Sequence, residues 1–557
     1  MPSDVPGGAT IVPVSTGTAP TSVLPDLDVP APAGGARPES LIAASALLAA
    51  LPLLVMLAVL VAQHPRITAS GDRAVTTLEV RDLLAGHQLV GAYSRFGWHH
   101  PGPAFLVPLA AAELILGRAQ WLLDAGMLVT GMAFAALVVV AVGRAAGPLP
   151  AAATAGLVGL YVRAVGPATL RDPWNPWGVL LPIVLLTVLC ALAATGSLAA
   201  LGGAALVASI AVQTHVGAAP ISLALFAAGA VLTWQSRRGR EGSDAPGPAV
   251  WAAVVATIAI WTPPLVQEAT GHDPNLTDLW RFFVSAYPGH SLSTAVATVG
   301  DRLGQFPLGS VHRLMASNAG VGWAGVGGAG IVVAAYVAAG AALTVIGRRR
   351  DDRFASALGV LTVVGVLAAV LGVRSIEGPL AGYVVASITA LPVGCWIGLT
   401  TIALRSWRRR SLAATLAAVA LALAGTAAAT TAAAAAPSTR TEDAPSVRAA
   451  WASLRPALAD RRRGAVLLEV SQLDDWPTEA GLALELEEHG WQAHVTDDWV
   501  FMFGDRRQET GTERLVATIG PSGVTVTTPL SPAALAADPT RVAQVLGGSG
   551  PPATGGR

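Results

Sequence analysis

Apolar positions in this chain fall into long blocks, not the alternation of a water-soluble core. About twelve blocks stand out: Leu41 to Val61, Pro103 to Leu116, Trp121 to Val142, Leu149 to Val162, Gly178 to Ala194, Leu198 to Val212, Val216 to Trp234, Val250 to Val266, Trp323 to Ile346, Phe354 to Val373, Leu380 to Leu404 and Leu412 to Ala436. A run of about 20 apolar residues spans the hydrocarbon core, and there only a helix satisfies its own backbone polar groups. The pattern predicts an α-helical polytopic membrane protein of about 11–12 transmembrane segments. Several blocks are rich in Ala and Gly, which lets helices approach closely.

After Ala436 the pattern changes. Short segments GAVLLEV (Gly464 to Val470), WQAHV (Trp491 to Val495), WVFMFG (Trp499 to Gly504), RLVATIG and VTVTT flank a helix-like TEAGLALELEEHG (Thr478 to Gly490). Strands around an amphipathic helix predict a small C-terminal extracytoplasmic α/β domain. The expected organisation is a disordered tail over 1–40, a membrane domain over 41–436 with outer loops 64–102 and 267–322, the α/β domain over 437–545, and a disordered tail over 546–557.

Composition narrows the class. Of 557 residues, 53% are hydrophobic and 13% charged, more apolar surface than one water-soluble core would hide. The formal net charge is zero, so no basic footprint for nucleic acid exists. Cys190 and Cys395 both lie in apolar blocks, which argues against a disulfide framework or a structural zinc. Arginines cluster at Arg237, Arg238 and Arg240, at Arg348, Arg349, Arg350 and Arg353, and at Arg405, Arg408, Arg409 and Arg410. By the positive-inside rule these mark cytoplasmic loops of a plasma-membrane protein. Counting outward from them makes the N-terminus cytoplasmic and puts the loop Ser70 to Pro103 outside, with RDPWNPW (Arg171 to Trp177), QTHVG, the loop Gln267 to Gly322, RSIEGPLAGY and everything after Ala436. The count closes only if one early block fails to cross, and Leu149 to Val162, short and Ala/Gly-rich, is the expected re-entrant one.

Polar residues far apart in sequence thereby meet on one side: Asp72, Glu79, Asp82, Arg95, His99 and His100, then Asp172, Trp174 and Asn175, then Gln213 and His215, then Arg374, Glu377 and Tyr383. An ionisable group at membrane depth costs roughly 2.5–3.5 kcal/mol, against about 0.3–0.6 gained per Leu or Val, so such residues point to a polar cavity.

The order of short motifs resembles that of the C-type (GT-C) membrane glycosyltransferases, the broad superfamily of dolichyl-phosphate-mannose-protein mannosyltransferases and arabinose transferases. The first outer loop opens with Gly71 and Asp72. An aromatic His-Pro element follows (Phe96, Gly97, Trp98, His99, His100, Pro101), then a WNP element (Trp174, Asn175, Pro176) and a QTH element (Gln213, Thr214, His215). The motifs cover about the first 235 residues; beyond them the resemblance is architectural. It implies an extracytoplasmic-facing enzyme that moves a sugar from a polyprenyl-phosphate donor to a cell-envelope glycan, lipid or protein, with inversion. In such enzymes the first-loop acidic residue acts on the acceptor or holds a metal, which points to Asp72. The chain lacks an evident DxD, so a divalent cation is an option without a motif behind it.

Glycosyl transfer needs a carboxylate to take the acceptor proton and cationic or hydrogen-bonding groups to meet charge on the departing phosphate. Asp72 is the expected base, with Asp172 as runner-up. Arg95, His99, His100 and Arg374 are candidates for the phosphate, and Trp174 for the sugar face. Asn175, Gln213, His215, Glu377 and Tyr383 complete the substrate set. Plainer readings compete. Asp72 would serve as N-cap of a helix from Arg73 to Gly86; His99 and His100 would belong to an interfacial aromatic belt; Arg374 and Glu377 would form a surface ion pair; Glu79, Arg81 and Asp82 would make a solvated face. Asp273, Trp280, Phe282 and Phe283 read as an amphipathic segment on the membrane. At the level of function, the alternatives are a secondary transporter with a polar relay and a non-catalytic membrane scaffold.

Overall fold

Inside a bilayer the backbone has no water to bind, and this chain closes its hydrogen bonds within helices. The computed structural model describes residues 37–238, 246–271, 273–285, 289–307, 325–406, 411–436, 444–470, 474–520 and 523–527. Residues 1–36 of the tail expected over 1–40, the tail over 546–557, Arg240, Arg408, Arg409, Arg410 and most of the linker after Ala436 lie outside the described residues, whereas Pro38 to Ser40 begin the first helix instead of ending the tail.

The helices are α1 (Pro38–Gln63), α2 (Gly71–Leu84), α3 (Leu106–Leu116), α4 (Trp121–Ala146), α5 (Pro148–Val165), α6 (Leu180–Ala193), α7 (Leu198–Thr214), α8 (Ala219–Arg237), α9 (Pro248–Thr270), α10 (Asn275–Val284), α11 (Leu292–Leu303), α12 (Gly325–Arg349), α13 (Arg353–Arg374), α14 (Leu391–Ser406), α15 (Ser411–Ala434), α16 (Pro445–Leu458) and α17 (Trp476–Glu488). Among the described residues ten helices are long and apolar enough to cross a membrane; Pro103–Leu116 and α7 are shorter apolar helices. The chain is an α-helical polytopic membrane protein with a small C-terminal α/β domain.

Which short block fails to cross is decided by what its ends touch. Trp121, at the start of α4, meets His64, just past the end of α1, with ring centroids 5.3 Å apart. Arg73 of α2 donates to Asp124 at 2.8 Å and to the Gln120 carbonyl at 3.2 Å. The segment from α1 to α4 therefore leaves and returns at one end of the bundle, and α3 does not traverse. This corrects the expectation for Leu149 to Val162. That block lies in α5, an 18-residue apolar helix packed so closely on α15 that a Cβ on Gly425 would collide with the Gly156 backbone. Arg405, at the far end of α14, donates to the Ala145 carbonyl at the end of α4. Arg237 donates to the Gly196 carbonyl just before α7, whereas Asn175 donates to the Thr214 carbonyl at its other end. So α7 runs from the arginine-bearing end of the bundle to the opposite end.

That opposite end carries the α/β domain, whose first described residue, Ala444, donates its N–H to the Thr68 carbonyl beyond α1. Strands β1 (Ala465–Glu469), β2 (Gln492–Val495), β3 (Leu515–Gly520) and β4 (Gly523–Thr527) form one sheet in the order β2-β1-β3-β4. β1 is parallel to β2 and β3, and β3 and β4 form an antiparallel pair. The WVFMFG segment is a helical turn, Val500–Phe503, not a strand.

The two largest apolar cores lie in different parts of the chain. One lies between membrane helices and includes Leu53, Val158, Leu181 and Leu358. The other holds the α/β domain: Val466, Leu468, Leu482, Leu486, Val495 and Phe503 pack with Val75 and Leu78 of α2. Helix α2 is thus shared between the first outer loop and the C-terminal domain. Its charged positions are correspondingly buried, which corrects the solvated-face reading. Asp82 accepts from Arg507 at 2.6 Å and from Arg506 at 2.9 Å, and Arg507 also donates to Glu487 at 2.7 Å. Arg81 reaches Glu488 at 2.8 Å and Glu113 of α3 at 3.3 Å.

Candidate active site

At the domain-bearing end of the bundle a cavity of about 440 Å³ opens between the helices and the α/β domain. Of the residues expected at a site, Asp72, Arg95, His100, Trp174, Asn175, His215, Glu377 and Tyr383 line it.

Asp72 is in the first turn of α2, where Ser70 occupies the cap position. It is thus not the N-cap. Gly71, with φ of +52°, makes the turn that starts the helix, a conformation L side chains avoid. The Tyr93 hydroxyl donates to Asp72 Oδ1 at 2.6 Å, and the Tyr93 N–H donates to Glu79 Oε1 at 3.1 Å. Burial and the adjacent Asp72 push the phenol upward, keeping it protonated as the donor. Burial also raises Glu79, against the Tyr93 N–H and with the help of Asp72 and Asp82. Burial thus disfavours charge on Glu79, while Asp72 lines the cavity.

Tyr93 belongs to a tight hairpin-like loop in which Ser94 N–H bonds the Trp98 carbonyl and His100 N–H the Ala92 carbonyl, at 2.9 Å each. Gly97 turns its tip with φ of +86°. Asn275, opening α10, clamps the loop from outside: its Oδ1 accepts from the His99 N–H at 2.8 Å and its Nδ2 donates to the His99 carbonyl at 3.0 Å. Phe282 of the same helix packs 5.4 Å from Trp98 and 4.9 Å from Phe96. The amphipathic α10 thus lends Phe282 and Phe283 to the cavity wall.

Deeper in the cavity His100 and His215 lie 4.8 Å apart. The Val216 N–H donates to His100 Nδ1 at 3.1 Å, which leaves the proton of the neutral ring on Nε2. Burial, with His215 and His99 beside it, holds His100 well below its ordinary range. Trp174 and Tyr383 face each other at 4.9 Å, and Tyr383 meets His215 edge-on at 6.5 Å. At the mouth the exposed Arg95 sits with its guanidinium carbon 4.9 Å from the Phe96 ring centre and reaches the Glu377 and Pro379 carbonyls at 3.5 Å.

Four expected residues fall outside the lining. Asp172 accepts from the Trp177 indole N–H at 3.0 Å, holding the WNP turn in place. Gln213 donates to the Ile260 carbonyl at 3.0 Å. His99 contributes its clamped backbone, with its ring toward the Phe501 backbone of the α/β domain. Arg374 is exposed, and its carbonyl accepts from the His290 N–H; no Arg374–Glu377 ion pair is present among the described residues. Four aromatic lining residues were not expected at the site: Tyr93 and Trp476, which no motif marks, and Phe282 and Phe283, read from sequence only as part of an amphipathic segment. Their shared sign in sequence is an aromatic ring beside a charge or turn, too common to select them.

A second, apolar cavity of about 260 Å³ lies on the membrane side of the WNP turn, lined by Phe105, Met127, Phe134, Leu181, Ile210 and Ile260 among others. Trp174, Asn175 and Pro176 face the polar cavity, while Trp177 and Gly178 face the apolar one. Among the described residues no three His, Cys, Asp or Glu side chains converge to hold a metal ion.

No family model matches the chain, and no curated protein matches it. Two solved structures share a similar arrangement: ArnT from Cupriavidus metallidurans bound to undecaprenyl phosphate, 15% identical over 87% of this chain and 93% of that one with a TM-score of 0.45, and the same protein in the apo state, 14% identical over 86% and 92% with a TM-score of 0.43. Similarity at this level assigns the chain neither a family nor an activity.

Proposed function

We propose that this protein is a GT-C-type membrane glycosyltransferase that moves a sugar from a polyprenyl-phosphate donor to a cell-envelope acceptor, with Asp72 as general base. The observation that carries the reading is the Tyr93–Asp72 hydrogen bond at the rim of a cavity that also holds His100, His215, Arg95, Trp174 and Tyr383. In a single displacement the acceptor hydroxyl attacks the anomeric carbon as the bond from that carbon to the phosphate oxygen breaks. The proton goes to Asp72, the lipid phosphate leaves, and the anomeric configuration inverts. A well-placed base is worth about 10²–10⁴-fold, or roughly 3–5 kcal/mol of barrier. His100 Nε2–H and the Arg95 guanidinium are donors for the charge growing on the phosphate, and Trp174 with Tyr383 offers a face to the donor sugar. The apolar cavity behind the WNP turn suits the first isoprene units of a lipid tail, which places a head group on one side of that turn and its chain on the other.

Orientation belongs to the same reading. The ten long helices and α7 traverse while α3 does not, so α1 begins on the side opposite the α/β domain. With arginines cytoplasmic, the N-terminus is cytoplasmic and the cavity opens to the extracytoplasmic side of the plasma membrane.

The test is transfer of label from a panel of radiolabelled polyprenyl-phosphate sugars by the purified protein, comparing wild type with Asp72→Asn. Asparagine keeps an oxygen for the Tyr93 hydroxyl, so folding is expected to be retained while transfer is lost. Movement of the donor across a vesicle membrane without transfer would instead favour a transporter.

A further inference from the structure

Among the described residues the α/β domain sends one side chain into the polar cavity: Trp476. It opens α17, shortly after the carboxyl end of β1. That strand has β2 on one side and β3 on the other, both parallel to it, and the carboxyl end of such a strand is where α/β sheets present residues to ligands.

The indole is tied to the proposed base through two contacts. A Cβ added at Gly71, the residue before Asp72, would lie 3.5 Å from Trp476 Cη2, so the ring rests on the backbone that starts α2. Its centroid is 6.3 Å from that of Tyr93, edge to face, and Tyr93 holds Asp72. Trp476, Tyr93 and Asp72 thus form one wall, in which the half-buried Trp476 lines the cavity. His100, His215, Trp174 and Tyr383 form a second aromatic and imidazole group of the same cavity, joined by ring contacts to one another, with Tyr383 close enough to Tyr93 to act on its phenol. In a single displacement the molecule that touches the base is the acceptor, whereas the donor sugar lies by the groups that meet the phosphate. An indole face beside a carboxylate suits a ligand with an apolar CH face and a rim of hydroxyls. A serine or threonine hydroxyl on a peptide, or a lipid head group without a sugar-like ring, offers no such face.

We propose that the acceptor is a saccharide whose terminal ring stacks on Trp476, so that the α/β domain sets acceptor specificity through this residue. The inference rests on the reading of the cavity as a glycosyltransferase site, and binding measurements separate the two.

Full-length protein in detergent is titrated with short oligosaccharides of arabinose, galactose, mannose and glucose, followed by saturation-transfer NMR, and separately with undecaprenyl phosphate. At least one oligosaccharide is expected to bind. Trp476→Ala should weaken that binding by about tenfold, Trp476→Phe should recover part of it, and neither should alter undecaprenyl phosphate binding by more than about twofold. Because alanine loses the packing on Gly71 and Tyr93, the phenylalanine variant, with a melting temperature near that of wild type, guards against misfolding. The proposal is overturned if no oligosaccharide binds wild type, or if a folded Trp476 variant binds the same one as tightly as wild type. Oligosaccharide binding through Trp476 with no label transferred from any polyprenyl-phosphate sugar would support the saccharide site and overturn the glycosyltransferase reading alone.

Discussion

The hydroxyl of Tyr93 donates to Oδ1 of Asp72 across 2.6 Å, and the same residue's N–H donates to Glu79. One tyrosine is thus held between two carboxyl groups of α2, the buried Glu79 and the proposed base Asp72. A hydrogen bond to a charged group is worth roughly 1.5–3 kcal/mol. Tyr93→Phe should lower kcat for sugar transfer by about tenfold or more with little change in donor KM, because it frees the carboxylate to rotate without removing it. Steady-state transfer kinetics check this, and an unchanged kcat would separate Tyr93 from the chemistry.

The pair Asp82–Arg507 fastens the α/β domain to α2. Arg507 is 2% exposed in its side chain and also donates to Glu487 and to the Phe503 carbonyl. Removing one partner of a buried pair costs up to about 3–5 kcal/mol when the other charge is left unpaired; here Arg506 stays on Asp82, so the loss is expected below that. Arg507→Met is expected to lower the melting temperature sharply, and adding Asp82→Asn should restore part of the loss. Additive effects in that double-mutant cycle would contradict the coupling.

Desolvation pushes His99 down to about 4 and His100 well below its ordinary value, whereas an unfolded histidine titrates near 6.5. Between those values the unfolded chain binds more protons. The stability these rings contribute is therefore complete above about pH 6.5 and is lost as pH falls toward the folded values, at roughly 1.4 kcal/mol per pH unit for each. Melting midpoints measured from pH 7.5 to 5 should fall with acidity, and His99→Gln should flatten the slope.

Glu479 predicts the opposite sign. Burial, then the charges of Asp475 and Glu469, lifts its carboxyl to about 8, and neither oxygen has a hydrogen-bond partner among the described residues. The folded state holds its proton longer than the unfolded one, so the contribution is complete below about pH 4.5 and is lost as pH rises through 8. Glu479→Gln should stabilise the protein at pH 8 by roughly 1–3 kcal/mol and change little near pH 4.5. Thermal melts at the two pH values decide it.

Gly71 sits at φ +52° immediately before Asp72. An L side chain there costs roughly 1–2 kcal/mol in backbone strain, so Gly71→Ala is expected to lower both stability and transfer, read by melting temperature and activity together.

Membrane crossing was legible in the sequence because it is a local property. A block such as Trp121 to Val142 can escape water only as a helix, wherever its neighbours lie. The gathering of Asp72, His100, Trp174, His215 and Tyr383 on one side followed from counting crossings between arginine clusters. Tertiary structure decided what depends on contacts between distant segments. Hydropathy measures length and polarity, so it did not separate α3, which turns back, from α5, which crosses; the contacts of Trp121 with His64 and of Arg73 with Asp124 did. Likewise Glu79 and Asp82 have the spacing of a solvated helix face, and they are buried because Arg507, more than four hundred residues later, folds onto them. Tyr93 and Trp476 carry no motif; their relation to Asp72 arises from a hairpin and a domain docking on α2, which no local pattern encodes.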